Sequence, residues 1–544
     1  MRLPKLRQLT EAQKKVYLYA PTNRHTLVSG PPGTGKTLIA CLRAVELRKK
    51  RDPVVLCMFS RVLAQYSSNA GDDDAIHSTT VHRWFRQWWS RSGVPPHRAA
   101  DNIAVNVNYD ERAIVKAAGA RWDPGRWSPW RRKPGVWVVD GQSYYAAPDV
   151  FAQRQVSHDP PVVEGNRYNI DWNAVAAHLF EHEDCIPASA LDLGTIMIDE
   201  GQDFAPGFYR TMRVIGAIAG GRGDAVSHPP RCFILADENQ QITTENSTLK
   251  QIAEELRIAD GNRYALCDNF RNSREIAELA LQFFADVGDR PLLPARSSER
   301  PLYSQVAGME DAIGRIVTWV RNNPGKEVGV LVFEEAMRGA LTAGLRTTLS
   351  GVRGRAICVQ SYSWAAREEH RVEDLVFDVG DVVTVLNMQS CKGLEFDAVF
   401  VVDPWRAQIG LYGADRFKMQ MFVAVSRARE WVQLIDCGTA AGAAAHQVFM
   451  PGPEFLDREG GSERKQAVLL PLAAVVAPPA RKEAPAKLDW ERVLANLTEK
   501  HGFATIDARG KGGALWVIAG KEFAAELEPL GFAFSEGRLA WWRK

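Results

Sequence analysis

The sequence predicts an α/β protein built on two parallel sheets, with a Trp- and Arg-rich subdomain inserted in the first and a small α+β domain closing the chain. Three observations carry that prediction. Up to about residue 440, apolar runs of strand length alternate with helical stretches, the pattern of parallel α/β layers. Between 86 and 185 the alternation breaks into Trp-, Arg-, Pro- and Gly-rich sequence, and seven of the chain's sixteen tryptophans fall between Trp84 and Trp137. From 451 to 487, Pro, Gly, Ala and charged residues dominate, as in a flexible linker, and a short tail follows.

The elements follow in order. "HTLVSG" (25–30), "PVVLCMF" (53–59), "TIMIDE" (195–200) and "RCFILAD" (231–237) read as buried strands of a first sheet. "EVGVLVF" (327–333), "VVTVLNM" (382–388), "AVFVVD" (398–403) and "WVQLID" (431–436) read as a second. The expected domains are 1–85 with 186–262, an insert at 86–185, a second sheet domain at 263–445, a linker at 446–488 and an α+β domain at 489–544. Inside the insert, 110–118 reads as a helix, Gly119 as a turn and the following stretch as an aromatic hairpin; the tail reads helix, two strands, helix, two strands.

Bulk properties exclude several classes. A chain of 544 residues is too long for one core. A formal net charge of +2 rules out a polycation, so a nucleic-acid partner must be held by local patches or a channel. Eight cysteines are scattered singly with no Cys-x-x-Cys, which offers no thiolate zinc or iron–sulfur site and suits a reducing cytosol. No signal peptide is seen at the N-terminus, and the most apolar run (467–480) is too short and proline-broken to span a bilayer. The expectation is a cytoplasmic protein with no membrane partner.

The chemistry begins at "GPPGTGKT" (30–37), which fits G-x-x-x-x-G-K-[ST] between a strand and a helix. The backbone of Gly30, Pro31, Pro32, Gly33, Thr34 and Gly35 would curl around phosphates, helped by the helix N-terminus. Lys36 would reach the β- and γ-phosphates, and the Thr37 hydroxyl would ligate Mg2+. "TIMIDEGQDF" (195–204) ends an apolar strand in adjacent carboxylates. Asp199 would hold Mg2+ through water, and Glu200 would polarise the attacking water. Together these motifs predict ATP hydrolysis without saying for what purpose.

A longer series of motifs resembles superfamily 1 helicases of the UvrD/Rep type over about residues 6–440. "LTEAQ" is similar to the family's adenine-reading motif, with Gln13 as the contact. "FSRVLA" (59–64) and "TVHRWF" (80–85) occupy the places of its first DNA-contacting motifs, giving Ser60, Arg61, Thr80 and His82. "DEGQD" resembles D-E-x-Q-D, with Gln202 coupling nucleotide to nucleic acid. "ADENQQI" (236–242) brings Gln240 near the γ-phosphate, and "NFRNS" (269–273) gives Arg271. "SCKGLEF" (390–396), supplying Gly393 and Glu395 to the nucleotide, and "VAVSRAR" (423–429), giving Arg427, complete the series. The resemblance implies two RecA-like motor domains that close on ATP, arginine fingers at Arg271 and Arg427 on the second sheet, and 3′-to-5′ movement along single-stranded DNA or single/double-strand junctions.

Departures qualify that expectation. Thr243 stands where the family has a base-stacking aromatic, and Asn387-Met388-Gln389 replaces its Thr-x-His, leaving Asn387 and Gln389 as altered polar contacts. Only about forty residues separate "LVFEEAMRGALTAGL" (331–345) from "VVTVLNM", where relatives carry a large duplex-contacting subdomain. An alternative is therefore a nucleic-acid-stimulated ATPase switch or sensor in a repair or phage-defence complex, with little unwinding and a protein partner through the C-terminal domain. "GARWDPGRWSPWRRKPGVWVV" (119–139) resembles a small G-A-R-W-D module of bacterial and mobile-element proteins. Trp127 and Trp130 flank its basic cluster and are expected to stack on bases, with Arg131 and Arg132 pairing with phosphates.

Overall fold

The computed structural model describes residues 9–58, 78–164, 166–240, 246–352, 354–363, 372–406, 409–438 and 449–459, with scattered positions between 494 and 543. These divide into two compact units, Met1–Lys465 and Gln466–Lys544.

In chain order the first unit opens with β1 (Thr26–Ser29), α1 (Lys36–Lys49), β2 (Val54–Met58), β3 (Ser78–Thr80) and α2 (Val81–Trp89). The insert contributes β4 (Ile103–Val105), β5 (Arg121–Ser128), β6 (Lys133–Val139) and β7 (Val156–Ser157). The chain returns through α3 (Trp172–Glu181), β8 (Thr195–Ile198), α4 (Pro206–Gly221), β9 (Arg231–Ala236) and β10 (Arg263–Ala265). β11 (Leu302–Gln305), β12 (Glu327–Val332), α5 (Glu335–Leu349), β13 (Cys358–Tyr362), β14 (Val382–Asn387), β15 (Phe396–Val402), α6 (Ile409–Val425), β16 (Ala428–Asp436) and β17 (Asp457–Glu459) follow.

Two wholly parallel sheets result, in the orders β10-β1-β9-β8-β2-β3 and β13-β14-β12-β15-β16-β11-β17. These are two RecA-like domains. Their strands are apolar on both faces because helices cover both sides, which is why they read as unbroken Val/Ile/Leu runs rather than alternating ones. One core spans the two sheets, running from Val28, Ile39 and Leu47 to Leu386, Phe396 and Met421. The functional cavity lies at this shared seam.

Several expected boundaries move. β10 pairs in parallel with Leu27–Ser29, so the first sheet continues past 262 to Ala265. The second sheet continues past 445: Leu456 is fully buried and β17 pairs with β11, so the stretch to Glu459 is docked rather than linker. The remainder of the expected linker, to 488, lies outside the described residues. Within 86–185 only a middle portion has its own core, made of Ile103, Val105, Val115, Val139 and Phe151. Trp88 and Trp89 of α2, with Trp172, Val175 and Leu179 of α3, belong to the core of the first sheet instead. The insert sheet has the antiparallel order β5-β6-β4-β7.

In the second unit β18 (Ala504–Asp507), β19 (Leu515–Ile518), β20 (Ala533–Ser535) and β21 (Ala540–Arg543) form an antiparallel sheet, β18-β19-β21-β20. Val517, Leu527, Phe532 and Trp541 bury together there.

Candidate functional site

The loop after β1 turns through two left-handed glycines, Gly33 (φ 80°) and Gly35 (φ 83°). A side chain at Gly35 would also strike Gln13, whose Nε2 lies 2.7 Å from an ideal Cβ there. The backbone sign favours glycine at both positions, and a side chain at Gly35 would also push the Gln13 amide off the loop. Gln13 completes a capping box with Thr10 and donates from Nε2 to the Thr34 carbonyl at 3.0 Å, locking the strip before β1 onto the loop. Lys36 opens α1 and is buried; its Nζ donates to the carbonyls of Gly30 and Pro31. Burial pushes this ammonium below the usual lysine range, against the opposing pull of Asp237, Glu200 and Asp199.

Asp199 and Glu200 follow β8. Thr37 Oγ1 donates to Asp199 Oδ2 at 2.6 Å. Burial, reinforced by Glu200, raises the Asp199 carboxyl to about 6. Burial alone would raise Glu200 too, but Lys392, Lys36 and Arg427 outweigh it and hold the group at about 2. Glu200 therefore stays ionised although it is buried. It also sits at φ 55°, a left-handed conformation that costs a non-glycine residue about 1–3 kcal/mol and recurs at functional sites. Gln202 is fully buried beside it, donating to Glu200 Oε2 at 2.7 Å and accepting from the Asp237 backbone N–H at 2.9 Å.

From the second sheet, Arg427 is fully buried and donates to Gln240 Oε1 at 2.6 Å. Burial, then neighbouring Arg271, lowers its guanidinium to about 10. Arg271 is expected on the second sheet; it lies instead on the loop that leaves β10 of the first sheet. That loop is pinned across the seam, because Asn272 Nδ2 donates to the Ser426 and Ala428 carbonyls. Arg271 pairs with Glu395 at 2.6 Å, and its Nε is buried with no hydrogen-bond partner among the described residues. Burial opposes ionisation of Glu395, yet Arg271, Arg429 and Arg427 hold it at about 2.

These groups line one cavity of about 300 Å³, bounded by residues 32–38, Asp199, Glu200, Gln240, Arg271, Gly393, Glu395 and Arg427. Thirteen of the residues expected to act on nucleotide, metal or water converge there, with Gln13, Gly30, Pro31 and Gln202 just behind the wall. The Thr37 hydroxyl and Asp199 carboxylate are hard oxygen donors in contact, and the buried acid lacks a full counter-charge, so the pair suits Mg2+.

Four contributors escape the sequence reading. Lys392 is buried, bonds to Asp203 and the Gln240 carbonyl, and lies 3.5 Å from Glu200, joining the two sheets. Its signal was present as the first letter of "KGLEF". Asp203 closes "DEGQD", and Asp237 is the Asp of "ADENQ". Arg429, which bridges Glu395 and Asp397, is the last letter of "VAVSRAR".

The expected nucleic-acid contacts are spread more widely. Thr80 caps α2, accepting from the Arg83 N–H. His82 packs near Trp172, and burial holds its imidazole at about 4, hence neutral. Asn387 accepts from the Ser390 N–H, and Gln389 is exposed. Ser60, Arg61 and Thr243 lie outside the described residues.

On the insert hairpin Trp127 is 58% exposed and Trp122 is 46% exposed, whereas Trp130 and Trp137 are half-buried against apolar clusters. Arg131 is exposed, and its guanidinium donates to the Val107 carbonyl, which fastens the hairpin to the segment after β4. Arg132 occupies the exposed turn at φ 51°.

Residues 382–435 match the UvrD-like helicase C-terminal domain family. That stretch runs from β14 to β16 and contains Gly393, Glu395 and Arg427. No curated protein matches the chain. Among solved structures, the C-terminal domain of a possible DNA helicase from Lactobacillus plantarun WCFS1 is 18% identical, covering 35% of this chain and 98% of that one, with a TM-score of 0.25. The DUF1998 helicase MrfA bound to DNA and AMPPNP is 9% identical over 78% of this chain and 48% of its own, about half its length, with a TM-score of 0.37. Pif1 helicase from Candida albicans is 10% identical over 78% and 94%, with a TM-score of 0.35. No helix among the described residues is long and apolar enough to cross a membrane.

Proposed function

We propose that this chain is an ATP-driven motor on single-stranded nucleic acid, a helicase or translocase that moves 3′ to 5′ and hydrolyses ATP at the seam between its sheets. The observation that carries the reading is the convergence of Lys36, Glu200, Arg271 and Arg427 from both sides of the seam on one cavity. Lys36 would leave the Gly30 and Pro31 carbonyls for the β- and γ-phosphates. Mg2+, held by Thr37 and Asp199, would supply positive charge to the phosphates. Glu200, kept ionised by its cations, would orient the attacking water, with Gln240 beside it.

In the structure Arg271 is held by Glu395 and Arg427 by Gln240. Exchanging those acceptors for phosphate oxygens would couple nucleotide state to the seam, and Gln202 would relay it through Glu200 and the Asp237 backbone. Gln13 would read adenine, and Gly393 with Glu395 would face the nucleotide. Thr80, His82, Asn387 and Gln389, with Ser60 and Arg61, would track a strand, and Trp127 with Arg132 would add a grip outside the motor channel.

One observation favours the second reading, a nucleic-acid-triggered ATPase switch or sensor with little strand separation and a protein partner through the tail. The stretch between α5 and β14 contributes a strand to the second sheet itself, β13 beside β14, in the place where relatives are expected to carry a duplex-contacting subdomain. The deciding experiment measures ATPase activity against single- and double-stranded DNA and RNA, alongside strand displacement. Stimulation with displacement supports the helicase; stimulation without it supports the switch. Lys36→Ala should lower turnover by about 10²–10³; hydrolysis near the parent rate in that variant would remove the reading altogether.

A further inference from the structure

The root of the insert carries a cluster that the motor chemistry does not use. The C-terminal turn of α3 reads His178-Leu-Phe-Glu181-His182, so that positions i, i+3 and i+4 share one side of the helix. One ring nitrogen from each histidine and one Glu181 carboxylate oxygen lie within 4.8 Å of one another. No other group of three such side chains among the described residues does so.

Two further facts turn proximity into a coordination argument. His178 Nε2 lies 2.8 Å from the Pro95 carbonyl. A carbonyl can only accept, so Nε2 carries the proton and the neutral ring keeps its lone pair on Nδ1. Metal-binding histidines characteristically donate their second nitrogen to a carbonyl in this way, fixing tautomer and ring orientation. The His178 and His182 rings have centroids 4.5 Å apart. Two imidazoles on one tetrahedral zinc, with Zn–N bonds of about 2.0–2.1 Å, place their centroids roughly 5 Å apart. The rings are thus spaced for a shared ion. The carbonyl end of α3 adds negative potential at the same point.

We propose that His178 Nδ1, Glu181 and a ring nitrogen of His182 form a Zn2+ site, with water in the fourth position. Two imidazoles and one carboxylate make a nitrogen- and oxygen-donor set that suits zinc better than Mg2+ or Ca2+, whose ligands are oxygens. The place of the site gives it a role. Pro95 belongs to the segment that leads from α2 into the insert, and α3 is the helix by which the chain returns. A metal on His178 and His182 would fix the His178 ring in the orientation that holds the Pro95 carbonyl, and so tighten the point where the two crossings meet.

The test uses the full chain, stripped of metal by chelator and titrated with Zn2+ in excess Mg2+ so that the nucleotide site is competed. The expected result is one zinc per chain with a raised melting temperature. Glu181→Ala and His182→Ala, substitutions at exposed and half-buried positions, should each weaken zinc by roughly 100-fold or more, beyond the 10–100-fold typical of outer-shell partners. Both variants should melt like the metal-free parent and keep its ATPase rate. A parent that takes up no zinc overturns the proposal. So do variants that bind it as tightly as the parent, which would place the metal elsewhere.

Discussion

The nucleotide cavity and the tryptophan hairpin are both rich in cations, and they treat them in opposite ways. In and beside the cavity Lys36, Lys392 and Arg427 are buried and each donates to protein acceptors. On the hairpin Arg121, Arg132 and Lys133 are exposed, and Trp127 presents more than half its surface. A buried charge is tolerated only with a partner, and removing one partner leaves the other stranded. Cavity residues are therefore interdependent, whereas hairpin residues are separable. Cavity substitutions should change catalysis and packing together; hairpin substitutions should change one property each.

The largest effect should come from Arg427→Ala. A guanidinium acting on the transferring phosphoryl group is worth about 10³–10⁵ in turnover. Nucleotide affinity should change far less, as read by equilibrium binding of a fluorescent ATP analogue beside steady-state ATPase. Because Gln240 Oε1 and the Val423 carbonyl lose their donor, melting temperature should fall as well. Normal turnover would dissolve the distinction between the two regions.

Next in size is Trp127→Ala. An exposed ring that stacks on a base contributes about 1–3 kcal/mol to binding. Affinity for single strands should drop by that amount in a fluorescence-anisotropy titration, with unstimulated ATPase and melting temperature held. If the variant unfolds instead, the ring is part of the module's core and the hairpin is no more separable than the cavity.

Glu327 tests the comparison from outside both regions. Burial, then the nearby Asp378 charge, raises its carboxyl to about 7, although Arg429 pulls the other way. The cation-rich cavity holds Glu200 at about 2 instead. A value raised on folding means that the folded chain holds the proton more tightly, so stability is greatest below the ordinary carboxylate range and declines as pH rises through 7. Glu327→Gln should be more stable than the parent at pH 8 by about 1–3 kcal/mol and little different at pH 5, in denaturant titrations at both. A gain of the same size at both pH values would exclude a titrating origin.

The smallest effect separates the two hairpin arginines. Arg131→Ala removes the bond to the Val107 carbonyl and should cost about 0.5–1.5 kcal/mol of stability. Arg132→Ala, at the exposed turn, should leave stability alone and make the salt dependence of binding shallower. Equal melting points with equal loss of binding would mean that both arginines serve the ligand.

Four strands of each parallel sheet were legible in the sequence as buried apolar runs, and most of the cavity was legible because phosphate chemistry dictates it locally; the short or outlying strands β3, β10, β11, β13 and β17 were not. A glycine loop between strand and helix, carboxylates at a strand end and arginines in recurrent motifs each follow from what a phosphate and a metal require. Tertiary structure alone decided how those motifs meet. Lys392 became a bridge because the two sheets share one core, and Arg271 crossed the seam because Asn272 is tied to the Ser426 and Ala428 carbonyls. It also decided which hairpin side chains stay outside: "WSPWRR" gives no sign that Trp127 is exposed while Arg131 is turned onto the insert. Composition reports which contacts a segment can make; burial and partner, set by residues far away in the chain, select among them.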